Sequence, residues 1–165
     1  MLSRTFLWPQ GYTSAAMISV NLDAEFYGRI FYPGIDVSEG DIQRLGWTGM
    51  EYGLPHLLDC FREHGVKGTF FIPGRVAELY PDAVRAIADA GHELGCHGYE
   101  HEILAHFTPE EQLELLKKAK AAIEKAAGRA VTGFRMPEGE ITEQTLVAAK
   151  EAGFAYSSSC LLYTS

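Results

Sequence analysis

Five short apolar runs recur along the 165 residues, and each of the four intervals between them carries a helical pattern. Residues 15–22, 66–72, 92–96, 131–134 and 154–156 read as strands, and helices are expected over residues 51–63, from Pro81 to Gly91, from Thr108 to Gly128 and over residues 142–152. Parallel strands need a crossover between them, usually a helix, so this alternation restricts the chain to an α/β architecture with a parallel sheet. The first run is mostly apolar, which predicts a strand covered on both faces. Thr108-Pro-Glu-Glu111 is the strongest local signal, because the threonine can cap the helix while Glu111 reaches back and Pro109 takes the first helical position. Residues 24–50 show no steady period and are rich in glycine and aromatic residues, so they read as a long surface loop of the kind that often carries function. The length suits a single domain spanning residues 1–165.

Composition narrows the function. A net charge of −8, with no run of basic residues, argues against a nucleic-acid partner. No stretch of about 18 apolar residues exists, so no membrane partner is expected. The N-terminal residues lack the apolar core and cleavage pattern of a secretory signal. Cys60, Cys96 and Cys160 have no CxxC spacing, so neither a disulfide framework nor a thiolate metal site is expected, and a cytoplasmic setting is the default. A homo-oligomer is compatible with this composition.

Asp23, His97 and Arg135 are far apart in sequence, yet each stands at the C-terminal end of an expected parallel strand, the edge where such folds build their sites. His97-Gly-Tyr-Glu-His101 has the i, i+4 spacing that would put two imidazoles on one face of a helical turn. Two histidines and one carboxylate form a three-ligand set that leaves positions open on a divalent ion such as zinc. A pair spaced HxxxH is by itself more often two unrelated histidines; the strand-end position, the flexible Gly98 and the available aspartate raise the metal reading above that default. His56, His64, His92 and His106 are expected to be structural or surface residues. Trp47, Tyr27 and Tyr32 are candidates for a sugar-stacking rim, although loop aromatics tucked onto a core are commoner.

These motifs together resemble the polysaccharide deacetylase family, carbohydrate esterase family 4. The first is Val20-Asn-Leu-Asp-Ala-Glu25, the second the histidine pair, and the third Arg135-Met-Pro-Glu-Gly139, with Gly68-Thr-Phe-Phe-Ile-Pro-Gly74 and Asp89-Ala-Gly-His-Glu-Leu-Gly95 as supporting stretches. The resemblance runs over residues 15–158 and looks closest to peptidoglycan deacetylases and allantoinase-like amidohydrolases. It implies an irregular (β/α) barrel, incomplete at its C-terminal end because the family's later motifs are not found. It also implies hydrolysis of a carbon–nitrogen bond other than a peptide bond, with an N-acetylated sugar or related small amide as substrate. Asp23, His97 and His101 then take the metal-ligand positions, Arg135 orients a catalytic carboxylate, and Pro73, Tyr99 and Pro137 fall at substrate-contacting positions. The metal would polarise the amide carbonyl and lower the pKa of a bound water.

One departure bears on catalysis. Where the family has an acidic general base, this chain has Asn21, whose amide is no useful proton acceptor at neutral pH. Glu25 and Glu140 are the substitutes the sequence offers, against the plain alternative that both are solvated loop glutamates. Two other functions stay open: a metal-independent, allantoinase-like ring-amide hydrolase, and a non-catalytic domain that keeps the ligand set without a base.

Overall fold

In a computed structural model, residues 11–27, 38–139 and 141–159 are described. Five strands, β1 (Ser19–Asn21), β2 (Thr69–Ile72), β3 (Glu93–Cys96), β4 (Gly133–Phe134) and β5 (Tyr156–Ser157), form one sheet in sequence order, every pair parallel. The helices are α1 (Glu39–Thr48), α2 (Leu54–Glu63), α3 (Gly74–Leu79), α4 (Pro81–Asp89), α5 (Pro109–Ala127) and α6 (Glu143–Glu151). Each crossover advances one strand in the same direction, and right-handed crossovers of that kind place all their helices on one face. This singly wound order is that of a (β/α) barrel, and it brings the C-terminal ends of the strands to one edge.

β2 is buried along its whole length, and Phe70 and Ile72 join Ile87, Leu116, Ile123 and Phe134 in the core between sheet and helices. β1 differs from expectation: only Ser19–Asn21 pairs, it lies at an edge of the described sheet, and Met17 is 73% exposed. Thr108 caps α5 with the full capping box, and Gly128 closes it in the left-handed conformation. No helix among the described residues is long and apolar enough to cross a membrane.

The expected loop over residues 24–50 needs correcting. It contains α1, capped by the Ser38 hydroxyl accepting the Asp41 N–H, and α1 runs through a single wide turn (Gly49–Gly53) into α2. The sequence hid α1 because its apolar residues make little core: Leu45 and Trp47 are 69% and 49% exposed. Gly46 instead lets α1 approach the backbone after β1, for a Cβ there would lie 2.4 Å from the Glu25 nitrogen. Gly74 plays the same part for α3, since a Cβ would meet the Ala119 Cα of α5 at 2.5 Å. The short helix α3 was likewise not expected from the sequence.

Candidate metal centre

Asp23 follows β1, His97 follows β3, and all three candidate ligands are buried: Asp23 is 9%, His97 1% and His101 2% exposed. His97 Nε2 stands 3.7 Å from Asp23 Oδ1, and His101 Nε2 stands 3.7 Å from Asp23 Oδ2. The imidazole centroids are 4.9 Å apart with planes at 75°. One ligand atom from each residue falls within 4.8 Å of the other two. Ligands about 2.1 Å from a tetrahedral ion stand about 3.4 Å apart, so the trio is close to the size that encloses a divalent cation.

Hydrogen bonding points the same way. His97 Nδ1 donates to the Arg135 carbonyl at 2.8 Å; because a carbonyl only accepts, the proton sits on Nδ1 and the Nε2 lone pair faces Asp23. Asp23 Oδ1 and His97 Nε2 are buried without a hydrogen-bond partner. Orphaned polar atoms at such depth are costly, and a cation shared between them removes that cost. The residues present therefore fit a divalent metal.

Burial, and then the nearby Glu138, raise the Asp23 carboxyl to about 7, whereas burial lowers the His97 imidazole to about 4 and also lowers His101. Both imidazoles are thus neutral and ready to ligate near neutral pH. The sign for metal binding follows directly: well below pH 7 the ion must displace a proton from Asp23, and well above it that carboxylate is already free. Isothermal titration in buffers of different ionisation enthalpy is expected to show most of one proton released per ion at about pH 6, where a zinc-bound water still keeps its proton. Binding at about pH 6 with no proton released would contradict the assignment of that proton to Asp23.

The histidine pair does not lie on a helical turn, which corrects the expectation from its spacing. Gly98 has φ +74° and His101 φ +63°, so the chain winds left-handed twice between the two ligands. The turn is held instead by tertiary contacts. Gly74 N–H donates to the Gly98 carbonyl at 3.0 Å and Arg75 N–H to the Tyr99 carbonyl at 2.8 Å, while Glu102 Oε1 accepts from Tyr99 N–H at 2.8 Å. Ala24, His101 and Glu138 are the non-glycine residues with positive φ among those described. All three adjoin the cluster, where each left-handed residue costs roughly 1–2 kcal/mol that the surrounding packing must offset.

Arg135 reaches across the sheet. Its guanidinium donates to Asn21 Oδ1 at 2.9 Å, Ser19 Oγ at 2.9 Å and Ser158 Oγ at 2.7 Å, and it stacks 4.0 Å from the Phe71 ring centroid. Asn21 ends β1, Asp23 follows two residues later, and both line one cavity. Glu25 does not join the cluster's hydrogen bonding: its carboxylate accepts from Tyr80 Oη at 3.3 Å and lines a neighbouring cavity of about 500 Å³ with Trp47 and Arg75. Tyr27 lines a second cavity, of about 440 Å³, together with Asn21 and Asp23. Glu140 and Tyr32 lie outside the described residues.

Of the three positions matched to substrate contacts, Pro73 precedes α3 and is buried, and Pro137 is buried with its ring near Gly98. Tyr99 is 7% exposed, donates its hydroxyl to Glu78 at 3.0 Å and carries the Lys118 ammonium 3.8 Å from its ring centroid. Two carboxylates beside the cluster escaped the sequence reading. Glu138 Oε1 stands 3.7 Å from His101 Nδ1, and Glu102 contacts the turn between the histidines. Glu138 sits inside the Arg135-Met-Pro-Glu-Gly139 motif and Glu102 directly follows the second histidine, so position in the motif was the available signal.

The sequence profile of the polysaccharide deacetylase family matches residues 47–157. A peptidoglycan deacetylase of Helicobacter pylori is 35% identical over 130 residues, which are 79% of this chain and 44% of that protein. The crystal structure of a candidate polysaccharide deacetylase from Mycobacterium smegmatis superposes with a TM-score of 0.85 at 33% identity, covering 94% of this chain and 54% of that one. A Bacillus anthracis protein described as a CE4 family pseudoenzyme superposes with a TM-score of 0.63 at 30% identity, covering 66% of this chain and 38% of that one. The chain thus spans about half, or less, of the length of these relatives.

Proposed function

Because the chain belongs to the polysaccharide deacetylase family, we propose that it carries the metal centre of a hydrolase that removes the N-acetyl group from an amino sugar of peptidoglycan or a similar polysaccharide, with zinc as the metal. The observation that carries this reading is the buried trio of Asp23, His97 and His101, with the His97 Nε2 lone pair and Asp23 Oδ1 facing one another and otherwise unpartnered. A bound divalent cation supplies a Lewis acid for the amide carbonyl and lowers the pKa of the attacking water. The protein's own part is to keep both imidazoles neutral by burial, fix the His97 tautomer through the Arg135 carbonyl, and place the Arg135 guanidinium against position 21. Glu25, Glu138 and Glu140 are the carboxylates proposed to compete for the proton-accepting role.

Acetate release from N-acetylglucosamine oligomers tests the reading. Zinc-loaded protein is expected to release acetate, chelation to stop the reaction, and added zinc to restore it. Release that persists after complete metal removal would contradict the reading.

A second reading, favoured by Asn21 and by the similarity to the Bacillus anthracis pseudoenzyme, is a metal-holding domain without catalysis. It predicts full zinc binding with no acetate release.

A further inference from the structure

We propose that Glu102 is a positioning residue of the metal centre, whose carboxylate preforms the turn that brings His97 and His101 onto one ion. The proposal rests on the reading of the Asp23, His97 and His101 trio as a metal site, and it assigns a task to a residue that is not one of the three ligands.

The turn from His97 to His101 has none of the hydrogen bonds that would hold a helix. Its carbonyls at Gly98 and Tyr99 are taken by the N–H groups of Gly74 and Arg75 at the start of α3. Its N–H groups at Tyr99 and Glu100 are taken by one side chain: Glu102 Oε1 accepts from Tyr99 at 2.8 Å and Oε2 from Glu100 at 2.5 Å. Both oxygens of one carboxylate therefore fix two consecutive peptide planes between the ligands. Charge-assisted bonds to backbone N–H groups are stronger than neutral ones, which suits a clamp that must hold His101 left-handed.

The neighbourhood is fitted to the clamp. A Cβ on Gly98 would lie 3.2 Å from Glu102 Oε1 and 3.1 Å from Pro137 Cγ, so a larger residue there would crowd the carboxylate. Glu102 is half-buried, and its two carboxylate oxygens are both engaged by the backbone of the turn. Without the carboxylate, the two peptide planes lose their acceptors, and the ordering of His101 falls to the moment of metal binding. Ordering deferred to binding appears as weaker affinity.

The test is the zinc dissociation constant of the wild type, Glu102→Gln and Glu102→Ala, measured by competition with a chromophoric chelator well below the melting temperature, with circular dichroism confirming the fold. Glu102→Ala is expected to bind zinc about 10- to 100-fold more weakly, as loss of a supporting partner typically does. Glu102→Gln keeps one acceptor oxygen and should fall between. Hydrogen exchange at the Tyr99 and Glu100 amides of the metal-free alanine variant should be faster than in the wild type. A folded alanine variant that binds zinc as tightly as the wild type would overturn the proposal. Should that variant fail to fold, wild-type affinity in the glutamine variant would overturn it equally. A wild type that binds no zinc would instead overturn the metal reading on which this one stands.

Discussion

Replacing His97 with alanine is expected to reduce bound zinc from one ion per chain to background and to abolish zinc-dependent acetate release. His97 is the ligand whose chemistry is most tightly fixed: it is 1% exposed, its Nδ1 proton is committed to the Arg135 carbonyl, and burial holds the ring neutral. An alanine there removes one of three ligands and leaves Asp23, already raised to about 7 by burial, without a cation to favour its ionised form. Loss of an outer partner of a ligand costs about 10- to 100-fold in metal affinity, so loss of a ligand itself should exceed about 100-fold. The substitution also strands the Arg135 carbonyl, at a cost of about 1–3 kcal/mol, so the melting temperature should fall while the fold persists. Elemental analysis after desalting, beside circular dichroism, reads both effects. Unchanged metal content in a folded variant would remove His97 from the ligand set.

Asn21→Asp is expected to raise the rate of acetate release, by up to the about 10²- to 10⁴-fold of a positioned general base, less whatever Glu25, Glu138 or Glu140 already contributes from a poorer position. The asparagine accepts a hydrogen bond from Arg135 Nη1 at 2.9 Å and lines the same cavity as Asp23. Aspartate has nearly the same shape, so it should keep that bond and gain a charge-assisted one, and the guanidinium would hold it ionised at neutral pH. Among the described residues, the side chains that accept from the Arg135 guanidinium, Asn21, Ser19 and Ser158, are uncharged. The comparison is kcat/KM on N-acetylglucosamine oligomers with both proteins zinc-loaded. A rate no higher than wild type would mean that another carboxylate already accepts the proton, with Glu138, 3.7 Å from His101 Nδ1, the first to be tested by replacement with glutamine.

The order of elements was legible because buried parallel strands and their crossover helices leave distinct periods in a sequence. The capping box at Thr108 is a purely local device, and it appears as read. The ligand trio was legible for a related reason: Asp23 and His97 end strands, and strand ends converge whatever the loops between them do. The turn between the histidines was not, because its path depends on partners outside the turn, two of them distant in sequence. A spacing of four residues suits a helix, but the N–H groups of Gly74 and Arg75 and the carboxylate of Glu102 stabilise a left-handed path instead. Helix α1 was missed because its value to the fold lies in what Gly46 lacks, room for a close approach to Glu25, rather than in an apolar stripe. Tyr99 stands at a substrate-contacting position by the resemblance, and the sequence did not foretell that Glu78, Lys118 and Gly74 border its ring.

The central claim is that Asp23, His97 and His101 grip one ion together. Anomalous diffraction at the zinc absorption edge, on crystals grown with zinc, tests it most directly. A single peak is predicted at about 2.0–2.2 Å from His97 Nε2, from a nitrogen of His101 and from a carboxylate oxygen of Asp23. Zinc bound elsewhere, with these three side chains turned away from one another, would contradict it.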